Sequence, residues 1–325
     1  MNLDQATERS VIGAVLLEPS RYDEIREWLR PDDFDGVAER QAFEAMQELS
    51  ERGSAITAKA VDGQLLARRA DTPMLADGPY LVSCMELCPS SSRAAVYGRM
   101  VLELSIRRRV AAQGVGLRQR AERAVTSQDL NMVFARVDAT RRDVERLHDR
   151  EAKASRSHAP TPLLAVELQP LQRQTSRDDV AVERTAVLAL ADEPKALSVV
   201  TRWLRPTDFA DDECAGLYSE LSVLHEAKNP IDRITLAWRA KRVGLRGQVS
   251  SSLLTSRDPA TSAGPITSSR RVLEQSVRAA VVATADSLQG LAADGRDNAT
   301  GQAYARLNHL WPQQRRLIKA SLSST

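Results

Sequence analysis

The phrase WLRPDDFD at residues 28–35 returns as WLRPTDFA at residues 203–210, 175 positions later, and this repetition constrains the fold more than any other feature of the chain. The same offset joins Glu8 and Arg9 to Glu183 and Arg184, Glu18 and Pro19 to Glu193 and Pro194, Phe43 to Tyr218, Leu49 to Leu224 and Ile56 to Ile231. Farther along, VLELSIR at 101–107 faces VLEQSVR at 272–278, so the second copy has lost a few residues from the intervening loop. Identities spread over about 100 residues mark an internal duplication. A chain of 325 residues also exceeds the usual reach of one hydrophobic core. We therefore expect a first repeat over residues 1–152, a linker over 153–177, a divergent second repeat over 178–316 and a frayed tail over 317–325.

Each repeat reads as helical. Aromatic residues make up only 4% of the chain against 42% hydrophobic residues overall, so the cores must rest on Ala, Leu and Val, a composition suited to helices packed on helices. Val11, Ile12, Val15 and Leu16 recur at helical spacing behind a cap at Asp4. Ser20, with Asp23 three residues on, predicts the start of a second helix carrying Tyr22, Ile25 and Leu29. Pro31 predicts its end, because proline disfavours helical geometry in the residue before it and has no amide to donate. Phe34 is expected to plug the core. A third helix spans 37–52, with Gly53 closing it, and a fourth spans 57–68. The stretch holding Pro73, Gly78, Pro79 and CPSSS reads as a loop. Two long helices follow, from about Ser92 to Ala124 and from the TSQD turn through Leu147; they form a helical hairpin whose first arm is about 45 Å long at 1.5 Å per residue. The second copy repeats the plan, its hairpin turning near DGRDN and ending around Trp311, before Pro312. Between the copies, three prolines and many small polar residues predict a linker docked through Leu163, Leu164 and Val166. The fold class is thus all-α: two tandem domains, each a small helical head with a projecting hairpin. Trp28, Phe34, Phe43, Trp203, Phe209 and Tyr218 are expected to hold the heads.

Several function classes are disfavoured. No long apolar run and no apolar leader are present, which predicts a cytoplasmic protein with no membrane partner. Cys84, Cys88 and Cys214 suit buried reduced thiols and lack the second ligand pair of a zinc site. No G-x-x-x-x-G-K-[ST] loop and no GxSxG elbow occurs, and His148, His158, His225 and His309 stand apart from one another in sequence. The acid pairs Asp32/Asp33 and Asp211/Asp212 flank helix ends, where capping explains them. We expect no enzyme activity, no cofactor and no metal.

Residues 106–156 hold 13 Arg and Lys against seven Asp and Glu. That surplus suits phosphates, yet the charges surround the hairpin, acids interleave at Asp138, Asp143 and Glu145, and aromatic residues for base stacking are lacking. The second hairpin loses the cluster, SIRRRVAAQ becoming SVRAAVVAT.

With these residues in view, each copy resembles the N-terminal domain of DnaB-type replicative helicases. The likeness lies in DQATERSVIGAVLLEPSRYDEI, in WLRPDDFDGVAERQAFEAMQEL, in GSAIT, and in GPYLVS followed by CPSSSRAAVYGRMVLELSIRRRV. It covers residues 3 to 150 and, more weakly, 178 to 311. The resemblance implies an all-helical head and hairpin that form the collar of a helicase ring, pair through their hairpins and receive the primase. The RecA-like ATPase that follows in that family has no counterpart in this sequence, so unwinding is not expected. The resemblance further implies that the duplicated chain makes the collar dimer internally, its linker holding the two copies at millimolar effective concentration; assembly into homo-oligomers is the alternative. We expect a replication accessory that binds the replicative helicase, the primase or both, as scaffold, loader or inhibitor. Its candidate partner-binding residues are Arg107, Arg108, Arg109, Arg141 and Arg142. DNA binding by the arginine-rich first hairpin, or structural self-assembly, is the alternative function.

Overall fold

The structure, a computed structural model, describes residues 2–68, 76–155, 177–245, 247, 249, 253, 264–293 and 298–323, and those residues are all-helical. In the first repeat, α1 spans Leu3–Leu17. Its cap is Asn2, two residues before the expected Asp4: the Asn2 side chain accepts from the Gln5 amide at 2.9 Å, and Gln5 reaches back to the Asn2 amide. Val11, Ile12, Ala14 and Val15 of α1 are fully buried. Between them Gly13 lets another backbone approach, because a Cβ there would stand 2.1 Å from the Cys84 carbonyl oxygen.

The next turns correct the sequence reading. Ser20 caps nothing; Pro19 opens a single 3-10 turn one residue earlier, Pro19–Arg21, which runs into the four-residue helix α2, Tyr22–Ile25. That helix is over well before Pro31. Pro31 instead begins a second 3-10 turn, Pro31–Asp33, where its fixed φ suits the first position. Arg30, just before it, is extended at φ −132°, ψ 155°, as a residue preceding proline must be.

Helix α3 runs Val37–Glu51, and Gly53 leaves it at φ +68°, the left-handed geometry that closes helices. Ala42, Phe43, Met46 and Leu49 form its buried side, with Phe34 entirely enclosed. The Phe34 and Phe43 rings lie 4.9 Å apart, and Tyr22 adds a third ring 5.7 Å from Phe43. Helix α4 follows at Ala58–Arg68. Pro73 falls outside the described residues. The stretch after it contains a helix that the glycine and prolines disguised: α5, Gly78–Leu87, tolerates Pro79 in its first turn and is capped by Asp77, which accepts from the Tyr80 amide at 2.9 Å. The hairpin comprises α6, Ala94–Arg123, and α7, Ser127–Ala154.

The second repeat supplies α8, Arg177–Asp192; α9, Leu197–Val200; α10, Asp212–Glu226; and α11, Arg233–Arg242. Its hairpin is α12, Pro265–Ala293, returning as α13, Ala299–Asn308. The DGRD turn at 294–297 and the expected docking of Leu163, Leu164 and Val166 lie outside the described residues. Pro312 does not end the fold: it stands in the first turn of α14, Trp311–Leu322, whose Leu317 and Ala320 are buried, so helix continues where fraying was expected.

The chain divides into two compact units, and each draws on both repeats. Unit 1 comprises Met1–Gly114, Ala139–Val166 and Leu288–Ala305; unit 2 comprises Val115–Asp138, Glu167–Ser287 and Arg306–Thr325. The tip of each hairpin therefore belongs to the unit that holds the other repeat's head.

Candidate functional site

In unit 1 the repeated phrase builds a socket for the hairpin base. The 3-10 turn started by Pro31 aims the fully buried Asp33 carboxylate inward, and the Arg30 amide donates to it at 2.8 Å. Its remaining lone pairs receive the Ser105 hydroxyl of α6 at 2.8 Å, the Arg150 guanidinium of α7, and Arg109 of α6 at 3.4 Å. Arg150 also donates from Nε and Nη2 to the Trp28 carbonyl, at 3.0 and 2.8 Å. Burial pulls the Arg150 pKa below its usual value against the opposing pull of Asp33, and the nearby charges of Arg30 and Arg109 add to the fall. A guanidinium keeps its proton, so this is a buried charge held by its partners.

Unit 2 repeats the device. Asp208 accepts from the Arg205 amide at 2.7 Å, from Ser276 at 3.2 Å and from the Arg316 guanidinium, while Arg316 Nε donates to the Trp203 carbonyl at 2.7 Å. A second matched pair fixes the opening of the third helix of each head: Glu8 accepts from the Asp35 and Gly36 amides at 2.8 and 3.0 Å, and Glu183 from the Ala210 and Asp211 amides at 2.7 and 3.0 Å. Both glutamates are buried, and burial raises the Glu8 pKa despite those donors. WLRPxDF recurs, then, because its Trp carbonyl and the aspartate before its Phe grip an arginine of the last helix in each repeat. The capping read from the sequence holds for Asp33, which accepts from the Arg30 amide, and for Asp211, which caps α10, but sequence reasoning passed over Arg150, Ser105, Arg316 and Ser276. The aligned serines in VLELSIR and VLEQSVR were the available signal.

The five candidate arginines divide. Arg107 is paired with Glu103 one turn back along α6. Arg108 donates to the Asp33 carbonyl and lies 3.9 Å from Glu8 and 3.7 Å from Asp35. Arg109 donates to the Asp32 carbonyl at 3.1 Å as well as facing Asp33. These two therefore fasten α6 to the WLRPDDFD turn. On α7, Arg141 approaches Glu145 at 3.9 Å, and Arg142 is exposed. Arg109 and Arg150 also border an open groove of about 720 Å³ between that turn and the hairpin base.

Polar contacts join the exchanged tips to their hosts. In unit 1 the Thr300 hydroxyl of α13 donates to Glu151 at 2.7 Å and lies 3.1 Å from His148 Nδ1, both on α7. Its single proton is used on Glu151, so the imidazole Nδ1–H is the donor in the second contact. In unit 2, Arg118 of α6 pairs with Asp286 of α12 at 2.8 Å, and Ser127 of α7 donates to Glu274. Apolar burial accompanies them: Leu117, Leu130, Val133, Phe134 and Val137 are at most 3% exposed. Cys84 and Cys214 are buried and Cys88 is half-buried; burial pushes the Cys84 thiol up to about 11. Among the described residues no group of His, Cys, Asp and Glu is arranged to hold a metal, and no helix is long and apolar enough to cross a membrane.

These features define a duplicated all-helical protein in which each repeat is a head clamped to the base of its own hairpin. The family model for the DnaB-like helicase N terminal domain matches residues 1–103 and 176–263, more than half of the chain, and the chain belongs to that family. Similar proteins include the replicative DNA helicase DnaB of Mycobacterium leprae (strain TN), 28% identical over 157 residues that make up 48% of this chain and 25% of that protein. The replicative DNA helicase DnaC of Bacillus subtilis (strain 168) is 31% identical over 106 residues, 32% of this chain and 22% of that protein. The chain thus spans about a quarter of the length of the curated relatives it matches. Among solved structures, the crystal structure of the N-terminal domain of DnaB helicase from Mycobacterium tuberculosis is similar at 28% identity and a TM-score of 0.37, covering 41% of this chain and 95% of that one.

Proposed function

We propose that the protein is a non-enzymatic accessory of DNA replication: two helicase-collar domains in one chain that together imitate a collar dimer and dock the replicative helicase, the primase or both. The observation that carries this reading is the reciprocal placement of the hairpin tips, Leu288–Ala305 in unit 1 and Val115–Asp138 in unit 2. Each repeat offers its hairpin to the other as two separate collar domains would, and the linker makes the encounter intramolecular. The relatives, both replicative helicases by name, support the helicase as partner, and the primase rests on the family resemblance.

DNA binding through the first hairpin is the weaker reading. Arg107, Arg108 and Arg109 already face Glu103, Glu8, Asp35 and Asp33 within the molecule, so a phosphate backbone would have to compete with those acids. The test is a pull-down of the purified chain against the cognate helicase and primase, with light scattering to give the mass of any complex. A defined complex at moderate salt supports the collar reading. A monomer that ignores both proteins but binds duplex DNA in a salt-sensitive way would overturn it.

A further inference from the structure

The open groove in unit 1 is a cationic site that the described residues leave unfilled. It runs between the WLRPDDFD turn and the hairpin base, and six cations line it: Arg30, Arg40, Arg109, Arg146, Arg150 and Lys153. Only three carboxylates share the lining, Asp32, Asp143 and Asp149, and Asp143 is taken by Arg146 and Gln113. Beneath the floor, the single Asp33 charge is divided between Arg109 and Arg150. Arg30, Arg40 and Lys153 are exposed at the rim, and none of the three has a carboxylate partner among the described residues; Arg40 donates only to the Phe34 carbonyl. The site therefore carries more positive charge than its own acids balance: six cations against three lining carboxylates and the shared Asp33 beneath them.

Three properties select the ligand. A volume of about 720 Å³ accommodates several side chains. The floor is partly apolar, with Val110, Val144 and Leu147 beneath the cations, and no aromatic residue lines it. Bases would find nothing to stack on, and Asp32, Asp143 and Asp149 divide the cations into separate positions, which suits spaced charges better than the unbroken charge of a phosphate chain. Carboxylates spaced by aliphatic side chains match both the charge and the floor. The neighbouring stretch 156–176 of this chain does not qualify, since Glu167 is its only acid. We propose that this groove binds an acidic, leucine-bearing peptide segment of a partner protein, with Arg30, Arg40 and Lys153 as its carboxylate contacts.

The second repeat provides an internal control. Arg40, Arg109 and Arg146 are replaced there by Ala215, Ala280 and Pro312, while Arg205 and Lys319 remain at the positions of Arg30 and Lys153. The inference stands on unit 1 alone and does not depend on the collar reading.

The test is fluorescence anisotropy of the full chain with a short labelled peptide rich in Glu and Leu, with its Gln-for-Glu counterpart, and with a labelled oligothymidylate. The Glu peptide is expected to bind in a salt-sensitive way and the Gln peptide not to bind. Arg30→Glu combined with Lys153→Glu, both at exposed positions and checked for unchanged melting, is expected to weaken the complex about tenfold or more, as loss of two exposed ion pairs and their reversal implies. Arg205→Glu combined with Lys319→Glu leaves it unchanged. Absence of peptide binding, equal binding of the Gln peptide, equal loss from both double variants, or oligothymidylate binding more tightly at the same residues would each overturn the proposal.

Discussion

Replacing Asp33 by Ala tests the clamp most directly. In the wild-type protein the carboxylate is fully buried and serves the Arg30 amide, Ser105, Arg150 and Arg109, whereas Arg150 is itself only 7% exposed. With the acid gone, Arg150 keeps the Trp28 carbonyl but has no counter-charge. Breaking a buried pair by removing one partner costs about 3–5 kcal/mol, and each stranded donor adds about 1 kcal/mol or more. A loss of about 4–6 kcal/mol consumes a large share of a typical domain's stability of about 5–15 kcal/mol. The melting transition of unit 1 should fall by about 10 °C or more, at about 2–4 °C per kcal/mol for a unit of this size. Asp208→Ala in unit 2 should cost less, since the Arg316 side chain retains 12% exposure against 8% for Arg150. The assay is urea and thermal unfolding followed by circular dichroism, with a double-mutant cycle adding Arg150→Met alone and together with Asp33→Ala. The double variant should recover much of the loss, because the uncompensated charge goes with the arginine. A cost below about 1 kcal/mol, the range of an exposed pair, or strictly additive single effects, would refute the reasoning.

Other outcomes follow from the same geometry. Gly13→Ala should destabilise unit 1 by about 1–3 kcal/mol or more, the cost of overpacking, because its Cβ meets the Cys84 carbonyl at 2.1 Å and backbone cannot rotate away; a chemical melt equal to wild type would contradict the close approach. Thr300→Val should cost about 1–3 kcal/mol by stranding its partners, and should alter the His148 ring resonances in an NMR spectrum, since the hydroxyl accepts from its Nδ1. Glu8, whose pKa is raised by burial, stabilises the fold below its unfolded value near 4.5 and surrenders that contribution as pH rises through the higher folded value. Glu8→Gln should therefore flatten the decline in stability just above pH 4.5, read from urea midpoints across that window. Arg118→Ala should leave the urea midpoint close to that of the wild type, its pair with Asp286 being about half exposed on both sides.

The sequence was a good guide where period and repetition agreed. The buried faces of α1 and α3 and the hairpin arms follow from apolar spacing, and the left-handed exit at Gly53 from the chemistry of glycine. It misled where proline was taken only as a terminator. Pro31, Pro79 and Pro312 each stand near the start of a helical turn, where their missing amide costs nothing, so α5 was lost to a loop and α14 to a tail. The clamp stayed hidden for a different reason. Arg150 and Asp33 lie 117 residues apart, and a basic residue in a run of basic residues carries no local sign that it is buried. Only alignment of the two copies, pairing Asp33 with Asp208 and Ser105 with Ser276, would have separated the shared socket from the unshared surface charge. The groove was legible only as excess charge, because its walls come from a turn and two helices distant in sequence.

The exchange of hairpin tips also governs the order in which this molecule can be made. Unit 1 requires residues 288–305, so the first head and hairpin leave the ribosome long before their last component exists. At about 5–20 residues per second, the interval between residues 155 and 305 lasts on the order of ten to thirty seconds. Throughout it, the apolar tip bearing Leu117, Leu130, Val133 and Phe134 awaits a host that has yet to be translated. A nascent chain in that state is competent to capture the tip of a neighbour on the same message. Slow translation or crowded polysomes should therefore yield interlinked chains, while release of the full-length polypeptide closes each molecule on itself.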